Sequence, residues 1–116
     1  MAFRLLDNAE ELMIRTVMIT THSPKKYRQN VVHQMQEYTK LIYEYIYFAN
    51  EYRDDKTKCM DYQKEAYVYI KMMNNILDRA ERIQCITISE EAELGKLLAT
   101  VQTIFEGWMS SDKKKK

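Results

Sequence analysis

Glycine and proline are nearly missing from this sequence, with two Gly and one Pro in 116 residues. A β-rich chain needs both residues at its turns, so the shortage excludes a sheet protein and favours long helices with few connections. It also leaves no room for a glycine-rich phosphate cradle or a G-x-S-x-G nucleophile turn. No apolar run approaches the roughly 20 residues of a membrane-spanning helix. The opening MAFRLLDNAEEL turns acidic after a few apolar positions and lacks the continuous apolar segment of a secretory signal, so a cytoplasmic protein is expected. Cysteine is scarce too: Cys59 and Cys85 have no C-x-x-C spacing and no histidine cluster near them, which argues against zinc and against a disulfide framework. His22 and His33 have no carboxylate or thiol at ligand spacing on the same helical face. The carboxylates are spread along helix faces with lysine or arginine nearby, as in Asp61 with Lys64 and Asp78 with Arg82, the pattern of a solvated surface. No catalytic residue, metal site or cofactor is expected, and the chain reads as non-enzymatic.

What is present is 46% hydrophobic and 30% charged residues, the balance of a soluble amphipathic helical domain. Residues 1–112 are read as one domain, an all-α antiparallel up-down four-helix bundle, with helices over about 7–21, 24–53, 56–84 and 88–110. In helix one, Asp7 or Asn8 caps the start, and Ala9, Leu12, Met13, Thr16, Val17 and Thr20 form one apolar face. The break at THSPKK offers Ser23 as N-cap and Pro24 at the first helical position of helix two. From there Tyr27, Val31, Met35, Tyr38, Ile42, Tyr45, Ala49 and Tyr52 recur at spacings of three and four as a buried seam. Asp54 or Asp55 marks a short connection to helix three, where Ala66, Tyr69, Met73, Ile76, Ala80 and Ile83 keep the same rhythm, widened by Ile70 and Leu77. Thr87-Ile88-Ser89-Glu90 is a capping box opening helix four, whose stripe runs Leu94, Leu97, Leu98, Val101, Ile104, Phe105 and Trp108. Gly107 lies inside that stretch at a cost of about 1 kcal/mol against Ala, which implies a chain end or a close approach by another backbone.

The formal charge is +1, and without Lys113–Lys116 fourteen cations face seventeen carboxylates, leaving −3. The lysine tail, 113–116, is read as a solvated, disordered end, with a nucleic-acid arm as the alternative. Lys25, Lys26 and Arg28 crowd the first turn of helix two, where the helix dipole disfavours cations. Helix three adds Lys64, Lys71, Arg79 and Arg82, and in an oligomer such patches multiply into basic surfaces able to meet RNA or DNA. Tyr43 and Tyr47 are neighbours one turn apart outside the seam. With Tyr67 and Met72 off the main stripe of helix three, they point to a surface that meets another protein chain. Trp108 closes one end of the stripe and is assigned to packing or subunit contact.

SPKKYRQ opening helix two, FANEYR closing it, the capping box, and LLATVQTIFEGWMSS at the end form an ordered set. In these elements the chain resembles, from about Val17 to Ser110, the accessory variability determinant (Avd) proteins of diversity-generating retroelements. That family lies within a superfamily of small four-helix-bundle proteins that includes the ribosomal-intervening-sequence type. The resemblance implies a ring-shaped homopentamer that is a non-enzymatic partner of the element's reverse transcriptase. It also implies that basic surfaces contact template RNA and cDNA during mutagenic retrohoming, for which Lys25, Lys26, Arg28, Lys64, Lys71, Arg79 and Arg82 are the candidates. Avd-type proteins look strongly basic, and the mildly acidic body of this chain departs from that pattern. A superfamily relative that binds protein or RNA without a retroelement is the alternative.

Overall fold

The computed structural model describes residues 2–114. Among them the chain is all-helical, with four α-helices and no strand, an arrangement that fits a four-helix bundle: α1 (Ala2–Thr20), α2 (Val31–Glu51), α3 (Lys56–Arg82) and α4 (Ile88–Lys114), with a single 3₁₀ turn at Lys25–Tyr27. The molecule measures 48 × 22 × 20 Å. Each helix packs on its neighbour in the chain and α1 also packs on α4, while the diagonal pairs stay apart.

The apolar stripes meet in a single core. In α1, Leu5, Ala9 and Leu12 are fully buried and Ile19 nearly so. From α2 come Val32, Met35, Ile42, Ile46 and Ala49; from α3, Ala66, Ile70, Met73, Ile76 and Ala80; from α4, Leu94, Leu98, Val101 and Phe105. Three threonines sit in this core without cost to their hydroxyls, because each donates to the carbonyl one turn back: Thr16 to Leu12 at 2.8 Å, Thr20 to Thr16 at 2.6 Å and Thr39 to Met35 at 3.1 Å. The Gln36 amide donates to the Thr20 hydroxyl at 2.9 Å and ties α1 to α2.

The starts of α3 and α4 follow the capping chemistry expected from the sequence, and other helix ends depart from expectation. The capping box closes as expected: the Glu90 amide donates to Thr87 Oγ1 at 3.0 Å and the Thr87 amide to Glu90 Oε1 at 2.9 Å. Asp55 caps α3 by accepting from the Lys58 amide at 3.2 Å.

Helix α1 begins near Ala2 rather than at residue 7, because Leu5 extends the buried stripe one turn upstream. Asn8 therefore lies inside the helix and its side-chain amide donates to the Arg4 carbonyl at 2.7 Å instead of capping. On the same helix Val17 is 44% exposed and Ile19 takes the core position expected of it. Helix α2 begins at Val31, not Pro24. Pro24 instead opens the 3₁₀ turn, in which the Tyr27 amide reaches the Pro24 carbonyl, and Asn30 caps the true start by accepting from the Val31 amide. The tyrosine seam is also displaced: Tyr38 and Tyr45 are half-buried and Tyr52 is exposed, while Val32, Thr39 and Ile46 fill the positions facing the core. A phenol is too long and too polar at its tip to point straight into a narrow bundle, so these rings lie at the edge.

Helix α3 ends in a Schellman motif on a residue that is not glycine. Gln84 has φ of +65°, the Gln84 amide donates to Glu81 at 2.9 Å and the Cys85 amide to Ala80 at 2.8 Å. Helix α4 continues past residue 110 to Lys114, so two of the lysines expected to be disordered are helical and the other two lie outside the described residues. Gly107 lies on its exposed side, and a Cβ built there meets nothing within 4 Å. Among the described residues, no backbone of another helix packs within 4 Å of that position, although Arg4 of α1 borders the same surface depression.

Candidate functional site

The cationic candidates divide into two groups by position. The Tyr27 hydroxyl donates to the Ile83 carbonyl at 2.7 Å, which pins the 3₁₀ corner against the end of α3. Lys25, Lys26, Arg28, Arg79 and Arg82 therefore share one end of the molecule, all exposed. Arg82 is paired with Asp78 at 3.1 Å, Lys26 lies over the Tyr27 ring at 5.1 Å, and both arginines sit in the last turn of α3, where cations complement the helix dipole. Lys71 and Lys64 are 8 and 15 residues before Arg79, about 12 and 22 Å along the helix, and turn toward α4. Lys71 lies over the Tyr67 ring at 5.1 Å, and Lys64 lines a cleft of about 390 Å³ with Met109 and Asp112.

The four interface candidates have different surroundings. Trp108 is buried and meets Phe105 edge-on at 5.9 Å. Tyr67 stacks on Phe105 at 6.1 Å and donates its hydroxyl to Glu106 at 3.0 Å. Tyr43 is half-buried against the core. Tyr47 alone offers a large free face, at 45% exposure.

What the sequence reading missed is a continuous line of aromatic rings between α2 and α3. Tyr38 meets Tyr69 at 6.1 Å, Tyr69 stacks on Tyr45 at 5.9 Å and 5°, and Tyr45 meets Tyr62 at 6.1 Å. Tyr62 then contacts Tyr52 at 5.7 Å and Phe48 at 5.5 Å, and Phe48 touches Tyr47 at 6.1 Å. Seven rings thus form one ladder, each contact within the range that stabilises aromatic pairs. The signal was available: Tyr38, Tyr45 and Tyr52 are seven apart on α2, and Tyr62 and Tyr69 are seven apart on α3. Burial, then Glu65, Tyr69 and Glu44, push the Tyr45 hydroxyl above the usual phenol range. A second apolar surface, also unforeseen, is formed on α1 by Ile14, Val17 and Met18, which face away from the core at helical spacing.

The thiols are held in their neutral form. Burial and, less strongly, Asp112 raise Cys59; burial raises Cys85 against a lowering contact with Ser23. A nucleophilic thiol needs the opposite environment. Cys59 Sγ lies 4.0 Å from Asp112, whose carboxylate accepts from Gln63 at 3.0 Å, at the edge of a cleft of about 380 Å³ lined also by Arg53 and Trp108. Among the described residues, no group of three or more His, Cys, Asp or Glu side chains is placed to hold a metal ion, and no helix is long and apolar enough to cross a membrane. No family model matches the chain, and no curated protein matches it.

Proposed function

We propose that this chain is a non-enzymatic accessory protein of a diversity-generating retroelement. In this reading it is an up-down four-helix bundle, assembled as a ring-like homopentamer, that holds the element's reverse transcriptase together with template RNA or cDNA in the cytoplasm. The observation that carries the reading is the ordered set of sequence elements from the Pro24 corner through Ala49-Asn50 to Gly107-Trp108. Three features of the fold support it. The ring pairs run in opposite numerical order along α2 and α3, and so do the α3–α4 bonds from Gln63–Asp112 through Tyr67–Glu106 to Asn74–Gln102, as an up-down path requires. Exposed apolar side chains on α1 leave surface for a second copy. Five cations gathered at one end would make a basic zone on each protomer of an assembly.

Light scattering tests the assembly: five chains of 14.0 kDa give about 70 kDa, and a monomer at micromolar concentration removes the ring. Filter binding to structured RNA over a salt series tests the contact. Five phosphates per protomer predict log affinity falling with log salt at a slope of about −4. A reverse transcriptase gene beside this one, with near-identical repeats differing at adenines, decides for the retroelement. The charge of −3 without the lysine tail favours the second reading, a protein- or RNA-binding bundle of the same superfamily that works without a retroelement, and the absence of that gene neighbourhood would select it.

A further inference from the structure

We propose that the outer face where α2 meets α3, along the tyrosine ladder, docks a cationic polypeptide segment, with arginine or lysine side chains laid on the free rings and paired with the carboxylates beside them. The proposal stands on this face alone and does not need a retroelement.

Burial leaves this face unfinished. Phe48 and Tyr52 are each 40% exposed, and Met72 on α3 is 38% exposed, beside rings that are themselves only half-buried. Along α2, Leu41 and Phe48 alternate with Glu44 and Glu51 at spacings of three and four, so apolar and acidic side chains share one flank. On α3, Glu65 and Met72 are seven apart on the flank facing them. Arg15–Glu93, Lys40–Glu37 and Arg82–Asp78 are ion pairs among the described residues, and none of these involves Glu44 or Glu65. Both act electrostatically on the Tyr45 hydroxyl, which places their charge at the middle of the ladder.

Cations already sit on tyrosine faces elsewhere in this chain: Lys26 on Tyr27, Lys71 on Tyr67, and, at the end of the ladder, Lys58 on Tyr52 at 4.5 Å. In the ladder's centre, Tyr45, Phe48, Tyr62 and Tyr69 carry no such cation among the described residues. Ring faces are electronegative, and a ring beside a carboxylate attracts a guanidinium or ammonium group through both. The same charge disfavours two other occupants. A nucleic acid would find bases to stack but would bring its phosphates against Glu44 and Glu65. A second copy meeting this face symmetrically would set the same carboxylates against themselves. From Tyr38 to Tyr52 the ladder runs about 21 Å, the length of an extended segment of six or seven residues.

Fluorescence anisotropy with the whole protein tests this, using a labelled 12-residue peptide of six arginines, two leucines and four serines. A labelled peptide with glutamate in place of arginine and a labelled 20-nucleotide oligouridine are titrated separately, because either would pair with the basic peptide if mixed with it. Saturable binding of the basic peptide is expected, weakened about tenfold by the double substitution Glu44→Gln/Glu65→Gln and at least fivefold by Phe48→Ser. The glutamate peptide should not bind, and Phe48→Ser should leave any oligouridine binding unchanged. Glu65 is exposed and Glu44 half-buried, and an unchanged melting curve of the double variant separates lost docking from lost folding. No binding of the basic peptide overturns the proposal, as does equal binding by the double variant with an unchanged melt. Binding of oligouridine that is lost on Phe48→Ser also overturns it, because this face would then be a nucleic-acid surface.

Discussion

Replacing Gly107 with alanine asks whether that glycine serves this chain or another one. The position lies in α4, seven residues before its end, on the exposed side, with no positive φ to protect and nothing within 4 Å of a built Cβ. Alanine should therefore enter without strain. It recovers about 1 kcal/mol of helix propensity, part of it through lost freedom of the unfolded chain. In a domain of this size that corresponds to about 3–6 °C in Tm. Thermal melts by circular dichroism at two protein concentrations, paired with light scattering, give the sign. A rise in Tm with unchanged mass means that no backbone rests on Gly107. A fall in mass, or a Tm that drops more at low concentration, means that a second copy packs where the new methyl group stands. A lower Tm for a variant that is monomeric beside a monomeric wild type would refute the reasoning, since, its own helix backbone and chain neighbours aside, no atom of the described residues lies within 4 Å of the new methyl group.

Four further outcomes follow from the packing. Trp108→Ala, which empties the space beside Phe105, should cost about 3–5 kcal/mol in urea unfolding. Thr87→Ala removes one half of the capping box and should cost about 1 kcal/mol, read as a lower midpoint with an unchanged slope. Gln84→Gly relieves a left-handed backbone in a residue with a Cβ and should stabilise by up to about 1 kcal/mol, although glycine is normally the less stable choice. Hydrogen bonds from Gln102 and then Tyr67 hold the Glu106 carboxyl below its usual pKa, so their stabilisation is present above the ordinary carboxylate pKa of about 4.3 and is lost as pH falls through the lower folded value. Tyr67→Phe should accordingly lower Tm at pH 7, and the difference from the wild type should shrink as pH falls below the ordinary carboxylate range.

The four helices were readable because their apolar positions recur at three and four residues and because Thr87–Glu90 is a local device that needs no tertiary partner. Where the reading failed, a distant contact decided. Ser23-Pro24 has the form of a helix start, but the next turn carries three cations against the dipole, and its Tyr27 is claimed by the Ile83 carbonyl 56 residues away, so the helix waits for Asn30. The same bond gathers five of the seven basic candidates at one end, which spacing along the chain could not reveal. Heptad tyrosines announced a face on each of two helices. That the two faces meet in one ladder depends on the register of α2 against α3, and register is a property of the packed pair.

Helix α3 shows why a nearly neutral chain need not be a featureless one. Lys64 and Lys71 are seven apart, and so are Glu65 and Met72, each one residue further on. One residue turns the helix by about 100°, so the cations fall on the flank toward α4, where Lys71 acts on Glu106, and the carboxylate falls on the flank toward α2, where Glu65 acts on Tyr45. About 100° apart on a helix 10–12 Å across, the two flanks lie roughly 8–9 Å from one another, comparable to the roughly 8 Å over which physiological salt screens exposed charge. Each flank presents its own local field, and the sum near zero says little about either. A phosphate-rich partner on the α4 side and a cationic segment on the α2 side would not compete, and substitutions at Lys64 and Lys71 should leave binding of a basic peptide unchanged while Glu44 and Glu65 leave RNA binding unchanged. Coupling between the two sets, measured as non-additive losses in the combined variants, would mean that the flanks form one site.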